Sequence, residues 1–167
     1  MGRNPAPEKD IGAAYKKYSD MLFRIALMHT GNENDAMDCV QDVFIKYMDK
    51  NILYFSEEHE KAWFIRATVN RCHDLFRKNS IRNHGELSEA ENVSYREHFS
   101  EESYGVLDAL ERLPEKSRTV VILHYLEGYS VEETAKMLRI SVSAVKMRLK
   151  RGREELKSLL KEEEFNG

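Results

Sequence analysis

SVEETAKMLRISVSAVKMRLKRGR, running from Ser130 to Arg153, is the stretch that decides the fold. Ser130 with Glu133 three residues on makes an S-x-x-E capping box, in which each side chain satisfies a backbone N–H that the first helical turn leaves unpaired. A helix is expected to start there. Val131, Thr134, Ala135 and Leu138 recur at helical spacing, and the small Ala135 lets a second helix cross close by. Arg139-Ile140-Ser141 then breaks the pattern: Ile140 is apolar enough to plug the gap between two helices, and Ser141 can cap the next. This is a helix-turn-helix layout. On the second helix, at ~100° per residue, Val145, Leu149, Gly152, Leu156, Leu159 and Leu160 share one stripe. Ser143, Lys146, Met147 and Lys150 point the opposite way. From Ser141 to Lys161 seven cations stand against Glu154 and Glu155, a net charge of +5. A basic helix presented by a tight turn can enter a major groove with its cations near phosphates. A solvated basic face on an ordinary helical hairpin is the plainer reading of the same pattern.

The chain has 167 residues, 33% charged and 41% hydrophobic, which suits one or two small soluble domains. No apolar run is long enough for a membrane span, and MGRNPAPEKD at the start lacks the apolar core of a signal peptide, so a cytoplasmic protein without membrane insertion is expected. Cys39 and Cys72 are the only cysteines and no C-x-x-C occurs; both fall on apolar stripes, where a small hydrophobe is wanted. No metal or cofactor is expected. The net charge of −3 conceals a sorting into blocks. Thr30 to Glu60 carries −6, Lys61 to Asn79 carries +4, and Ser80 to Ser103, with glutamates at 86, 89, 91, 97, 101 and 102, carries −4. Local fields therefore matter more than the total.

In chain order, Ile11, Tyr15, Tyr18, Leu22, Ile25 and Ala26 predict a first helix over Asp10 to Thr30, stopped by Gly31. A second is expected from Asp35 to about Lys50, with Ala36, Val40, Val43, Phe44 and Tyr47 as its apolar stripe. Asp35, Asp38, Asp42 and Asp49 form a ridge on its far side. Asp42 and Asp49 lie beyond the first turn, where the helix dipole gives them little. A basic partner would relieve their mutual repulsion, although an unpartnered polar face would look the same. Asn51 to Glu60 reads as a loop, and Lys61 to Lys78 as a third helix with Ala62, Ile65, Val69, Cys72 and Phe76 as its buried stripe. Opposite them Trp63, Arg66, Asn70 and Arg77 cluster, with His73 beside them. An aromatic among guanidinium and amide groups suits single-stranded nucleic acid, and core packing is the other fate open to Trp63. Ser80 to Glu102 has no sustained apolar period and reads as a flexible acidic linker. Tyr104 to Leu113 predicts a short helix, and Pro114 opens another that stops at Gly128. The expected fold class is all-α: two small helical domains, 1–79 and 104–167, joined by a linker over 80–103, the C-terminal one a four-helix unit. A helix-turn-helix repressor would explain only Ser130 to Arg153. A hydrolase built on Asp35 and Asp38 lacks a nucleophile, a phosphate loop and a full metal set.

DAMDCVQDVFIKYM (Asp35 to Met48) resembles the D-A-x-D-x-V-Q-x-x-F signature in the second conserved region of RNA polymerase sigma factors of the extracytoplasmic-function group. AWFIRATVNRCHDLFRK (Ala62 to Lys78) resembles the segment that follows it in that family, with His73 where a Lys or Arg is common. Leu110 to Leu156 resembles the fourth conserved region nearly throughout. The resemblance implies that Asp35, Asp38, Gln41 and Asp42 dock on the β′ clamp helices of core RNA polymerase. It implies that Phe55, Trp63, Arg66, Asn70, His73 and Arg77 bind the separated strand of the minus-ten promoter element. It implies that Ser143, Lys146, Met147, Lys150 and Arg151 read the minus-thirty-five element. The polymerase β flap and an anti-sigma protein are further partners it implies, with no cofactor, no small-molecule substrate and no enzymatic activity.

Overall fold

The computed structural model describes residues 10–49, 56–82 and 101–166, with side chains over 10–49, 56–78 and 105–161. The described residues are almost wholly helical. Residues 51–55 of the predicted loop, Phe55 among them, and 83–100 of the predicted linker lie outside them; apart from Ser56 the rest of both is helical, since the third helix begins at Glu57 and runs to Arg82 and the next begins at Glu101.

Three helices make the N-terminal unit: α1 (Ile11–Thr30), α2 (Glu33–Asp49) and α3 (Glu57–Arg82). Local chemistry sets their ends. The Asp10 carboxylate accepts from the Ala13 N–H at 3.0 Å, and Gly31 closes α1 at φ 65°, its N–H reaching the Leu27 carbonyl. Asn32 Oδ1 accepts from the Asp35 N–H at 3.0 Å and caps α2. The core between them is aromatic at its centre. Phe64 is fully buried, with ring centroids 4.9 Å from Tyr18, 5.1 Å from Phe44 and 4.7 Å from Tyr47. Phe64 was not part of the expected stripe, and Phe76, which was, is 53% exposed. The reason is tertiary. Early on α3 the rings of α1 and α2 converge on the Phe64 side of the helix, whereas Phe76 lies under the Arg118 guanidinium, 5.6 Å from its ring centroid. Cys39 and Cys72 are buried as free thiols, as their apolar stripes required.

The C-terminal unit consists of α4 (Glu101–Arg112), α5 (Glu115–Val121), α6 (Val131–Leu138) and α7 (Val142–Asn166). Between α5 and α6 the chain continues through a wide π-helical turn, Ile122–Leu126, in which the Glu127 N–H bonds the Ile122 carbonyl. Gly128, at φ 81°, then reverses the chain. The long α7 crosses α5 at Gly152, where a Cβ would stand 2.7 Å from Val121 Cγ2. Only glycine permits this approach, so Gly152→Leu should overpack the crossing and cost about 2 kcal/mol. Urea unfolding followed by circular dichroism checks this; an unmoved midpoint would mean that the crossing tolerates bulk.

The two units are not separate bodies. Leu22, Ile25 and Phe64 of the first and Leu110, Leu113, Ile122 and Val145 of the second belong to one continuous buried cluster. The two helical units expected from the sequence are thus both present, and they pack on one another.

Candidate functional site

In the helix-turn-helix, Ser130 Oγ accepts from the Glu133 N–H at 3.0 Å, and Ser141 Oγ accepts from the Ala144 N–H at 3.0 Å, so both helix starts are capped as the sequence required. The turn passes through Arg139 at φ 55°, a left-handed conformation unusual for a residue with a Cβ. It is fixed by the Ile140 N–H bonding the Ala135 carbonyl at 3.1 Å. With that geometry α7 buries Val145, Leu149 and Gly152 and leaves Ser143, Lys146, Met147, Lys150 and Arg151 in solvent; farther along the expected stripe Leu156 and Leu159 are only half-buried and Leu160 is exposed, because the helix runs on past the elements it packs against. An open groove of about 850 Å³ runs beside it, where Lys116, Arg148 and Arg151 are balanced by Glu115, Glu154 and Glu155. The unbalanced charge is on the outer face itself, where Lys146, Lys150 and Arg151 with the exposed Met147 offer charge for phosphate and an apolar tip for a base.

On α2, Asp38, Gln41 and Asp49 are exposed and Asp35 is half-buried. Asp42 differs from the expectation of an unbalanced ridge. Its carboxylate accepts from Arg71 Nε at 2.7 Å, and this bond holds the Arg71 pKa above its ordinary value. One of the four charges is thus balanced within the chain, which leaves Asp38 and Asp49 as the outward field. Met37, Ile45 and Met48 are also exposed on this helix. Reading the carboxylates alone missed them, though at 100° per residue they fall beside Gln41 and Asp38. The outer face of α2 is therefore an acidic strip flanked by an apolar one, a composition suited to gripping another helix.

The α3 face is divided. Asn70 and Arg77 are exposed, and Trp63 is half-buried, its ring edge-on to Phe64 at 5.2 Å and 5.9 Å from Tyr47. Trp63 thus packs against the aromatic core without being fully buried. Arg66 and His73 are not open as expected. Arg66 Nη1 donates to the Met137 carbonyl of α6 at 3.2 Å, and burial, then the nearby Arg139 charge, lowers its pKa. His73 Nε2 lies 3.2 Å from Thr119 Oγ1 of α5, and burial lowers the pKa of its ring. Phe55 lies outside the described residues. Among the described residues no helix is long and apolar enough to cross a membrane.

Comparison with known proteins agrees with this division of the chain. Residues 14–81 match the family model of sigma-70 region 2, and residues 105–156 match that of sigma-70 region 4. The RNA polymerase sigma factor CnrH of Cupriavidus metallidurans is 31% identical over 142 residues, covering 77% of this chain and 74% of its own length. The ECF RNA polymerase sigma factor SigM of Mycobacterium tuberculosis is 29% identical over 146 residues, covering 87% and 74%. Among solved structures, CnrH in complex with the cytosolic domain of CnrY superposes with a TM-score of 0.65 at 27% identity, covering 90% of this chain and 87% of that one. The sigma factor RpoE of Bartonella quintana, in complex with the anti-sigma factor NepR, superposes at 0.68 with 22% identity over 92% and 98%, a likeness of fold. With both conserved regions in order on one helical chain, the protein belongs to the sigma-70 family, in its extracytoplasmic-function group, and is a sigma factor that brings core RNA polymerase to specific promoters to initiate transcription.

Proposed function

We propose that the chain divides promoter work among three surfaces. The outer face of α2, with Asp35, Asp38, Gln41 and Asp42 and the apolar flank of Met37, Ile45 and Met48, docks on the β′ clamp helices. The α3 face, with Trp63, Arg66, Asn70, His73 and Arg77 together with Phe55, holds the separated minus-ten strand. The outer face of α7, with Ser143, Lys146, Met147, Lys150 and Arg151, reads the minus-thirty-five element as duplex, while its unit rests on the β flap. The observation that carries this reading is the two-sidedness of α7, apolar beneath and cationic outside, on a helix delivered by a capped turn.

No catalytic group is required for these steps. Unstacking a base costs a few kcal/mol and stacking on an aromatic returns about 1–3 per base, so melting can be driven by binding alone. Each unit is small, and joining both to polymerase raises the effective concentration of the second contact once the first is made. The chain works in the cytoplasm, where its polymerase is. The RpoE structure holds the anti-sigma factor NepR and the CnrH structure the cytosolic domain of CnrY; by the same reading, this chain is held by an anti-sigma protein. The unit limits proposed are 1–79 and 104–167, with 80–103 between.

Lys146→Ala and Lys150→Ala separate base reading from charge. Either should weaken promoter binding by ~1–3 kcal/mol where the lysine reads a base, or reduce the salt slope by about 1 where it holds a phosphate. Holoenzyme binding to promoter fragments over a salt series checks this; unchanged affinity and slope for both variants would remove α7 as the reader.

A further inference from the structure

The aromatic core of the N-terminal unit comes toward the surface at one ring. Tyr18, Phe44 and Tyr47 gather on Phe64, and Trp63 lies at the edge of this group, its ring centroid 5.2 Å from Phe64 and 5.9 Å from Tyr47. Trp63 is the chain's single tryptophan and is half-buried, so a base stacked on it would extend a set of rings already fixed by packing. Tyr47 is 3% exposed, yet it carries a hydroxyl. That hydroxyl donates to Glu60 Oε2 at 3.2 Å. Burial first, then the charge of Glu60, push the Tyr47 pKa up to about 12 from an ordinary 10.0, so the phenol keeps its proton and remains a donor at neutral pH.

Glu60 stands in the first turn of α3, three residues before Trp63 and on the same side of the helix. A first turn is the part of a helix that opens most readily, because its N–H groups lack partners within the helix. Here Ser56 caps it, its Oγ accepting from the His59 N–H at 3.2 Å. Two side chains then tie the turn to its neighbours: Glu57 to Lys17 of α1 at 2.8 Å, and Glu60 to Tyr47 of α2. The first pair is exposed on both sides, and ion pairs of that kind hold little. The second matters more, because a buried phenol without an acceptor is left unsatisfied.

We propose that Tyr47 and Glu60 are positioning residues for strand opening: their hydrogen bond joins the first turn of α3 to a core ring that Trp63 packs on, and so holds the indole in the orientation in which the separated minus-ten strand meets it. This rests on the assignment of α3 to that strand. Neither residue needs to touch DNA. Tyr47 faces the core, away from the outer side of α2 that carries Asp38 and Gln41, so the bond bears on opening and not on polymerase capture. A platform fixed before the strand arrives needs no ordering when it binds, whereas a loose indole must be ordered by the base itself. With the Tyr47 hydroxyl removed, Glu60 is free to turn toward Tyr18, whose pKa is raised by burial and then by the charge of the same carboxylate, and the first turn of α3 is drawn away from Tyr47.

The test uses the full-length chain well below its melting temperature, with circular dichroism to show that each variant is folded. Because Trp63 is the only tryptophan, fluorescence of the free chain reports this site alone. Acrylamide should quench it about twofold faster in Tyr47→Phe and in Glu60→Ala, while Glu60→Gln, which keeps an oxygen for the phenol, should be quenched at the unmodified rate. With core polymerase and a promoter carrying 2-aminopurine in the minus-ten element, Tyr47→Phe and Glu60→Ala should slow strand opening about fivefold, less than the roughly tenfold of losing the Trp63 ring altogether. Glu60→Gln should restore most of the rate, and polymerase capture should be the same for all three. A merely structural role would lower the melting temperature and leave both readouts unmoved below it. Unmoved opening in Tyr47→Phe and Glu60→Ala overturns the inference, and so does an equal defect in Glu60→Gln, which would assign the effect to charge. The strand assignment fails separately: Trp63→Ala would then open the promoter at the unmodified rate, whatever Tyr47→Phe does to the quenching.

Discussion

Asp38→Lys should abolish capture of core RNA polymerase, with a loss of about a hundredfold or more in affinity. Asp38 is exposed on α2, has no ion-pair partner among the described residues, and lies in the second turn of a helix whose other side is packed. Exposed substitutions of that kind change folding by only about 0.5 kcal/mol, so the melting temperature should barely move. At the interface the change is two charges, and setting like charges together costs several kcal/mol. Asp42 is the less clean probe, because Arg71 is bonded to it and removing the carboxylate strands a half-buried guanidinium inside the chain. Fluorescence anisotropy of labelled protein titrated with core polymerase reads the effect. Binding within threefold of the unmodified chain would remove α2 from the docking surface.

Phe64→Ala should cost about 3–5 kcal/mol, as expected for emptying an aromatic-sized hole in a close-packed core. Against a total stability of order 5–15 kcal/mol, that is enough to melt much of the N-terminal unit at ordinary temperatures. Three rings pack against Phe64 within 5.1 Å, and each would lose its partner at once. Phe76→Ala, by contrast, removes an exposed ring with a cation above it and should cost no more than about 1 kcal/mol. Chemical denaturation of both variants tests the pair. Equal losses would mean that the two phenylalanines are equally buried.

That pair also marks the limit of what the sequence disclosed. Features determined by neighbours in sequence were legible: the caps at Ser130 and Ser141, the stops at Gly31 and Gly128, and the two faces of α7. They depend on helix geometry, which acts over a few residues. Phe64 was missed because a single wheel of α3 assumes one buried side throughout, while the rings of α1 and α2 close over the other side near its start. Asp42 was read as an outward charge because Arg71, 29 residues away, carries no local mark of being its partner. The same holds for the contact between the two units, where His29 Nε2 lies 3.0 Å from Thr119 Oγ1, 90 residues away in the sequence. The acidic residues of α2 drew notice by their charge, while Met37, Ile45 and Met48 beside them went unread, since exposed apolar residues differ from core ones only once packing is known.

Permanganate probing of a promoter bound by core polymerase and this factor tests the division of labour most directly. With the unmodified chain, thymines of the minus-ten element should become reactive as the strands part. With Trp63→Ala, polymerase capture and duplex binding should persist while that reactivity falls roughly tenfold, the value of one lost stacking contact, and Trp63→Phe should restore most of it. Undiminished reactivity with Trp63→Ala would contradict the account, since the strand would then be held by something other than the α3 face.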